Sequence, residues 1–349
     1  MSKLNLTTLI VIFFLFIANG VKGQNITKEN KLANMLYNGV NPDTALALAQ
    51  IIDSANWGEK NKVSLLVYAA SGGYREVCKV LIDKGANIDF IVSTGGTALM
   101  AASQKGHNEI VKMLIDHGAK LDLQGYEGIS ALMIATLNGQ TETVKILADR
   151  GAKPDLQESH GATALLFASQ NGYTEIVRIL LDKGADLELP LKNGITPLIK
   201  ASEIGNIEIV KLLLNKGAKV DKTDNEGFTA FANACYEGHS EVAQLLLDRG
   251  ANLDWQNQGG FTALMIASQY NRTEVVKLLL DKGINMDLQV SSGPTALIIA
   301  SAHGNTDVVK QLLERGANTK LQTIEGKTAY DYATNDEIKA LISKYIKKQ

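Results

Sequence analysis

The chain has 349 residues, of which 45% are hydrophobic and 21% charged, and its formal net charge is -2. This is the composition of a folded protein, long enough for two ordinary domains or one long repeat array. The near-neutral balance excludes a surface that tracks nucleic-acid phosphates, and the two cysteines, Cys78 and Cys235, stand in no metal-ligand spacing.

Residues 1–23 read as a secretory signal. Lys3 supplies the positive start, Leu9 to Ala18 is an unbroken apolar run, and Val21-Lys22-Gly23 places small residues around a cleavage point, with Gln24 as the expected new terminus. The apolar run is too short for a comfortable membrane span. The expectation is a mature chain in the periplasm or secreted, with no membrane insertion after cleavage. Residues 24–56 follow as a degenerate helix pair, with Lys31 to Leu36 broken at Gly39 and a second helical pattern from Thr44 to Ala55. They are expected to cap what comes next, because a terminal repeat has no neighbour on one side.

From residue 57 to 325 one unit recurs. Gly85, Gly118, Gly151, Gly184, Gly217, Gly250, Gly283 and Gly316 are spaced by 33 residues without insertion. A second glycine class, from Gly95 to Gly326, and a hydroxyl class from Thr97 to Thr328, with Ser130 standing for one threonine, keep the same register. Eight repeats result. Within residues 93–126 the physics gives two short helices. Thr97 precedes Ala98 to Ser103, a hydroxyl before helix formers, and Gly106 ends that helix by admitting positive φ. A second helix is expected from Asn108 to His117, with Ile110, Val111, Met113, Leu114 and Ile115 as its apolar stripe. Residues 326–349 begin a ninth repeat at Thr328, shorten its loop and close the array with Glu337 to Tyr345. With no disulfide expected, both cysteines are read as buried small hydrophobes.

The charges fit the same assignment. Glu76, Glu109, Glu142, Glu175, Glu208, Glu241, Glu274 and Asp307 start the second helices. Lys84, His117, Arg150, Lys183, Lys216, Arg249, Lys282 and Arg315 precede the capping glycines. Each complements a helix dipole by about 0.3–1 kcal/mol, so these residues are read as helix chemistry and not as a site. Asp89, Asp122, Asp155, Asp221, Asp254 and Asp287 recur at one turn position, where their oxygens are expected to bond local turn amides. Gln124, Gln157, Gln256, Gln289 and Gln322 recur at another and are expected to hydrogen-bond along the stack.

With Gly260-Phe261-Thr262-Ala263-Leu264-Met265-Ile266-Ala267-Ser268 and Gly106-His107-Asn108-Glu109-Ile110-Val111-Lys112-Met113-Leu114, the chain resembles the ankyrin-repeat family over about residues 57 to 347. The resemblance implies an all-α fold: an ankyrin-repeat solenoid of stacked helix-turn-helix units with turn tips. Only Thr196-Pro197-Leu198 keeps the family's proline, and the histidine that follows in the family is replaced throughout, by Met100, Met133, Ile199 and Met265 among others. The inter-repeat hydrogen bonds of that histidine are lost, and apolar stacking is expected to replace them.

The resemblance also implies a non-enzymatic protein-protein interaction module. It would act outside the cytoplasm and hold a protein partner on the concave face built from the turn tips and the exposed side of each first helix. Two alternatives share the fold: a structural or protective partner of a periplasmic enzyme or toxin, and a secreted effector acting on host proteins. A monomer is expected. The candidate partner-binding residues are aromatic: Tyr126, Phe228, Tyr236, Trp255, Phe261 and Tyr270. Packing of a phenylalanine on its neighbouring turn is the competing account. No G-x-S-x-G elbow, phosphate loop or histidine-cysteine cluster is present, so no catalytic residue, metal or cofactor is expected. Asn25 and Asn271 head N-x-T sequons, which matter only in a host that glycosylates.

Overall fold

The computed structural model describes residues 27–39, 41–58 and 63–346. The expected signal segment, residues 1–23, and the sequon at Asn25 lie outside the described residues. No helix among the described residues is long and apolar enough to cross a membrane.

Among the described residues twenty α-helices form ten pairs, and the chain divides into two units, Met1–Leu189 and Pro190–Gln349. Unit 1 holds α1 (Lys28–Asn38) with α2 (Pro42–Ile51), α3 (Leu65–Gly72) with α4 (Arg75–Asp83) and α5 (Ala98–Lys105) with α6 (Asn108–Asp116). It closes with α7 (Ala131–Leu137) and α8 (Thr141–Asp149), then α9 (Ala164–Asn171) and α10 (Thr174–Asp182). Unit 2 holds α11 (Pro197–Ile204) with α12 (Ile207–Asn215), α13 (Ala230–Glu237) with α14 (Ser240–Asp248) and α15 (Ala263–Gln269) with α16 (Thr273–Asp281). Its last pairs are α17 (Ala296–Ala302) with α18 (Thr306–Glu314) and α19 (Ala329–Tyr332) with α20 (Asp336–Ile346). Isolated β-bridges, Thr223 to Thr229 and Gln256 to Thr262, hold two of the turn tips.

Each first helix begins on the hydroxyl that the sequence marks. Thr97 Oγ1 accepts from the Met100 amide at 3.3 Å, and Ser130 and Thr163 repeat the bond to Met133 and Leu166. Gly106 ends α5 at φ +72, with its amide donating back to Ala102. The second helix stops at Asp116, with His117 as its C-cap, one residue short of the expected end. Ile110, Val111 and Leu114 are buried, whereas Ile115 is only half-buried. Within each unit first helices pack on first helices and second on second, α3 on α5 and α4 on α6 for example, and α11 on α13 and α12 on α14. Cys78 and Cys235 are both free and buried, and burial pushes both thiols well above the ordinary range.

Polar ladders join successive repeats, and they revise three expectations. Five of the six aspartates bond an amide of the next repeat and not one of their own turn. Asp89 Oδ1 accepts from the Lys120 amide at 3.0 Å, Asp122 from Lys153 at 2.9 Å, Asp221 from Asn252 at 3.1 Å and Asp287 from Asn318 at 2.9 Å. The local turn amide is taken instead by the side chain two positions earlier, as Asn87 does for Asp89 and Asn252 for Asp254. Nor does apolar stacking alone replace the missing histidine. In five repeats the residue after the first-helix glycine, or after Asn271, reaches back to the preceding first helix, whereas Asn206 caps its own second helix. His107 Nε2 lies 3.2 Å from the Ser71 carbonyl and His239 Nε2 3.1 Å from that of Glu203, while Gln140, Arg272 and Asn305 donate to Gln104, Tyr236 and Ser268. The cations before the capping glycines also do more than complement a dipole. Arg150 pairs with Asp116 at 2.6 Å, Lys183 with Asp149 at 2.7 Å, and Lys282 with Asp248 at 3.5 Å, each reaching into the previous repeat. The glutamine stripe works through backbone: Gln124 Nε2 donates to the Gln157 carbonyl and Gln289 Nε2 to that of Gln322, both at 2.9 Å.

Candidate functional site

The exposed end of each first helix offers two positions per repeat just before its terminating glycine. In unit 1 these hold Ser71-Gly72, Gln104-Lys105, Leu137-Asn138 and Gln170-Asn171. Asn138 and Asn171 fold back, their Nδ2 atoms donating at 2.8 Å to the carbonyls of Ile134 and Phe167. Three repeats of unit 2 carry larger side chains in the same register, Glu203-Ile204, Tyr236-Glu237 and Gln269-Tyr270, and the fourth has Ala302-His303. Tyr236 and Tyr270 come together, with ring centroids 4.5 Å apart and planes tilted by 57°. Tyr270 is 42% exposed and Tyr236 half-buried. A hydrogen bond with Tyr270, and then burial, hold the Tyr236 phenol above its usual range.

The backbone beneath this pair is pinned. Arg272 Nε donates to the Tyr236 carbonyl at 2.8 Å, and its Nη2 lies 3.8 Å from Glu237 Oε2. Asn271 stands where the other first helices end in glycine and holds the left-handed conformation at φ +55, which asparagine tolerates better than most residues. One repeat earlier Lys200 pairs with Glu203 at 2.7 Å. One repeat later the His303 Nδ1 lies 2.9 Å from the Ile299 carbonyl of its own helix.

The structure separates the remaining aromatic candidates from this pair. Trp255 is 6% exposed, lies 5.4 Å from the Phe228 ring between centroids, and donates from Nε1 to the Gly227 carbonyl at 3.0 Å. Its indole packs beneath the turn tips, apart from the exposed tyrosine pair. The register carried that signal, because Leu123, Leu156, Leu288 and Leu321 occupy the same position in other repeats. Phe228 and Phe261 are half-buried, and their amides donate to Asp224 and Asn257 Oδ1 at 2.8 and 3.0 Å, which shapes the turns. Tyr126 belongs to unit 1 and is 55% exposed at its turn tip, where a hydrogen bond with Glu127 and that residue's charge raise its phenol pKa. Sequence reasoning missed Ile204, 42% exposed and in the Tyr270 register two repeats earlier.

A serine-histidine-glutamate cluster occupies another tip of unit 1, and its geometry is that of a turn. Glu158 Oε1 accepts from the amides of His160 and Ala162, both at 2.9 Å. The His160 Nδ1 faces Ser159 Oγ at 3.1 Å and Glu158 Oε2 at 3.0 Å. A nucleophile relay needs the two ring nitrogens to serve different partners; here one nitrogen meets both. No three His, Cys, Asp or Glu among the described residues converge to hold a metal.

Models of ankyrin repeats match residues 26–125, 120–190 and 198–290 as a three-copy unit, and residues 279–333 as a many-copy unit. The chain belongs to the ankyrin-repeat family. Among solved structures, the crystal structure of the ankyrin repeat domain of Bcl-3, "a unique member of the IkappaB protein family", is similar at 27% identity with a TM-score of 0.56. The likeness covers 62% of this ankyrin chain and 99% of that one. No curated protein matches the chain. The ankyrin family and fold support a protein-protein interaction module.

Proposed function

We propose that the chain is a non-enzymatic, monomeric protein-binding module that acts outside the cytoplasm and holds its partner on the face built from turn tips and first-helix ends. The observation that carries this reading is the Tyr236–Tyr270 pair. Two paired rings lie at the exposed ends of adjacent first helices, on backbone clamped by Arg272. Large rigid aromatic side chains give contact area at little cost in conformational entropy, and they dominate interface energetics where they cluster. Tyr126 is a second candidate contact in unit 1, while Phe228, Phe261 and Trp255 support the turns. The apolar run before Gly23 supports export.

The test is affinity capture on the chain from residue 24 onward, using an extracytoplasmic extract, beside a variant carrying Tyr236→Ala and Tyr270→Ala. A protein held by the native chain and released by the still-folded variant supports the module and its site. Identical retention by both moves the site elsewhere. Residues 1–23 fused to a phosphatase that is active only after export test the location, and an inactive fusion overturns it.

A further inference from the structure

The first-helix ends of unit 2 combine exposed apolar area with paired charge. Ile204 and Tyr270 occupy the same register position two repeats apart, each 42% exposed, and Tyr236 lies between them in the stack with its ring on Tyr270. The charged groups beside them already have partners within the chain. Lys200 and Glu203 pair at 2.7 Å with 15% and 31% of their side chains exposed, and Arg272 faces Glu237 at 3.8 Å while its Nε is held by the Tyr236 carbonyl. His239 is engaged with the Glu203 carbonyl, and His303 with that of Ile299. The stripe has one aliphatic and two aromatic side chains and no net charge. The same register in unit 1 reads Gly72, Lys105, Asn138 and Asn171, with both asparagines turned onto their own helices.

We infer that the Ile204–Tyr236–Tyr270 stripe takes an uncharged peptide segment of a partner protein, anchored by a large aliphatic or aromatic side chain. This rests on the binding-module reading and narrows it. A charged ligand would have to displace Lys200 from Glu203 or Arg272 from Glu237, and the second exchange would also release the clamp on the Tyr236 carbonyl. An apolar anchor displaces neither. It covers the exposed faces of Ile204 and Tyr270, while the phenol hydroxyls, bonded to each other, keep one donor and spare acceptor capacity for peptide backbone, the mixed character that suits tyrosine to interfaces.

The test uses a random peptide display library panned on the full chain, with synthetic peptides made from the enriched sequences. The expected result is enrichment of neutral sequences that share a large apolar residue. Their affinity should change less than about twofold between low and high salt, because screening acts on unpaired charge. Ile204→Ala with Tyr270→Ala should weaken them about tenfold or more, as loss of central anchors does. Both side chains are substantially exposed, so the variant is expected to fold, which circular dichroism checks; Lys105→Ala in unit 1 should leave affinity unchanged. Enrichment of acidic or basic peptides, steep salt dependence, indifference to the double variant or no enrichment overturns the inference. Peptides that bind but ignore the variant sink the inference and leave the module reading standing, whereas a blank in both panning and extract capture removes both.

Discussion

Replacing Trp255 with alanine separates a packing role from a contact role. The indole is 6% exposed, stacks near Phe228 and donates to Gly227. Truncating a buried aromatic costs about 3–5 kcal/mol. Within that total the lost hydrogen bond accounts for about 1 kcal/mol and the ring pair for about 0.5–1.5 kcal/mol. Trp255→Phe keeps a ring against Phe228 and should cost less, whereas Tyr270→Ala, at a 42% exposed residue paired with the Tyr236 ring, should cost only about 1 kcal/mol. Urea titration followed by far-UV circular dichroism measures all three. Tryptophan fluorescence adds a local probe, because the two tryptophans, Trp57 and Trp255, fall in different units. In the native chain Trp255 reports unit 2, and in the alanine variant the remaining signal follows Trp57 alone. A loss below about 1 kcal/mol for Trp255→Ala, within the ordinary spread for surface changes, would refute the packing assignment. It would return Trp255 to the contact surface.

Four further outcomes are expected. Gly125→Ala drives its new Cβ into the Gly95 carbonyl and should cost about 3 kcal/mol, the upper part of the overpacking range; Gly151→Ala, at φ +89 with open space around it, should cost only the left-handed penalty of about 1–2 kcal/mol, and paired thermal melts distinguish them. Asp122→Ala removes the bond to the Lys153 amide and should destabilise by about 1 kcal/mol, with Asp122→Asn recovering most of it in the same melts. Burial raises the Glu29 carboxyl, but hydrogen bonds from its own amide, those of Asp53 and Ser54 and the Thr27 hydroxyl outweigh this and hold it below the ordinary range. Its stabilisation is therefore full above the unfolded carboxylate pKa and lost as pH falls through the folded one, so Glu29→Gln should lower Tm at pH 7 and lose that effect as the pH falls below the ordinary carboxylate range. Cys78 and Cys235 should resist thiol alkylation in the native chain and react together once urea unfolds it, as intact mass shows; rapid labelling of either without urea refutes its burial.

The repeat register, the threonine caps and the terminating glycines were legible because each acts within one helix, over a few residues that a sequence displays side by side. The ladders were not. Asp122 and Lys153 are separated by 31 residues, and a turn aspartate has a sufficient local explanation in its neighbouring amides. Arg150 likewise satisfies the dipole rule without revealing that Asp116 lies within 2.6 Å. The candidate site was legible in part. Tyr236 and Tyr270 were recognised from register and meet in space. The burial of Trp255 is less legible, because its turn position holds leucine in most repeats but lysine at Lys222, one repeat earlier. Ile204 was passed over for a different reason: an aliphatic residue in a helix reads as core until its position is compared with Lys105 and Tyr270.

The polar ties between repeats span a narrow range of sequence, from 28 residues for Gly227 to Trp255 through 34 for Asp116 to Arg150 to 37 for Ser268 to Asn305. In such a chain no segment waits for a distant one. As it leaves the ribosome, each new repeat finds its docking surface already folded immediately ahead of it, and growth proceeds by addition at one end. An interrupted translation product of this chain would consequently be a shorter stack with one uncovered repeat face, not a collapsed remnant, and its solubility would depend on how long that last face stayed bare.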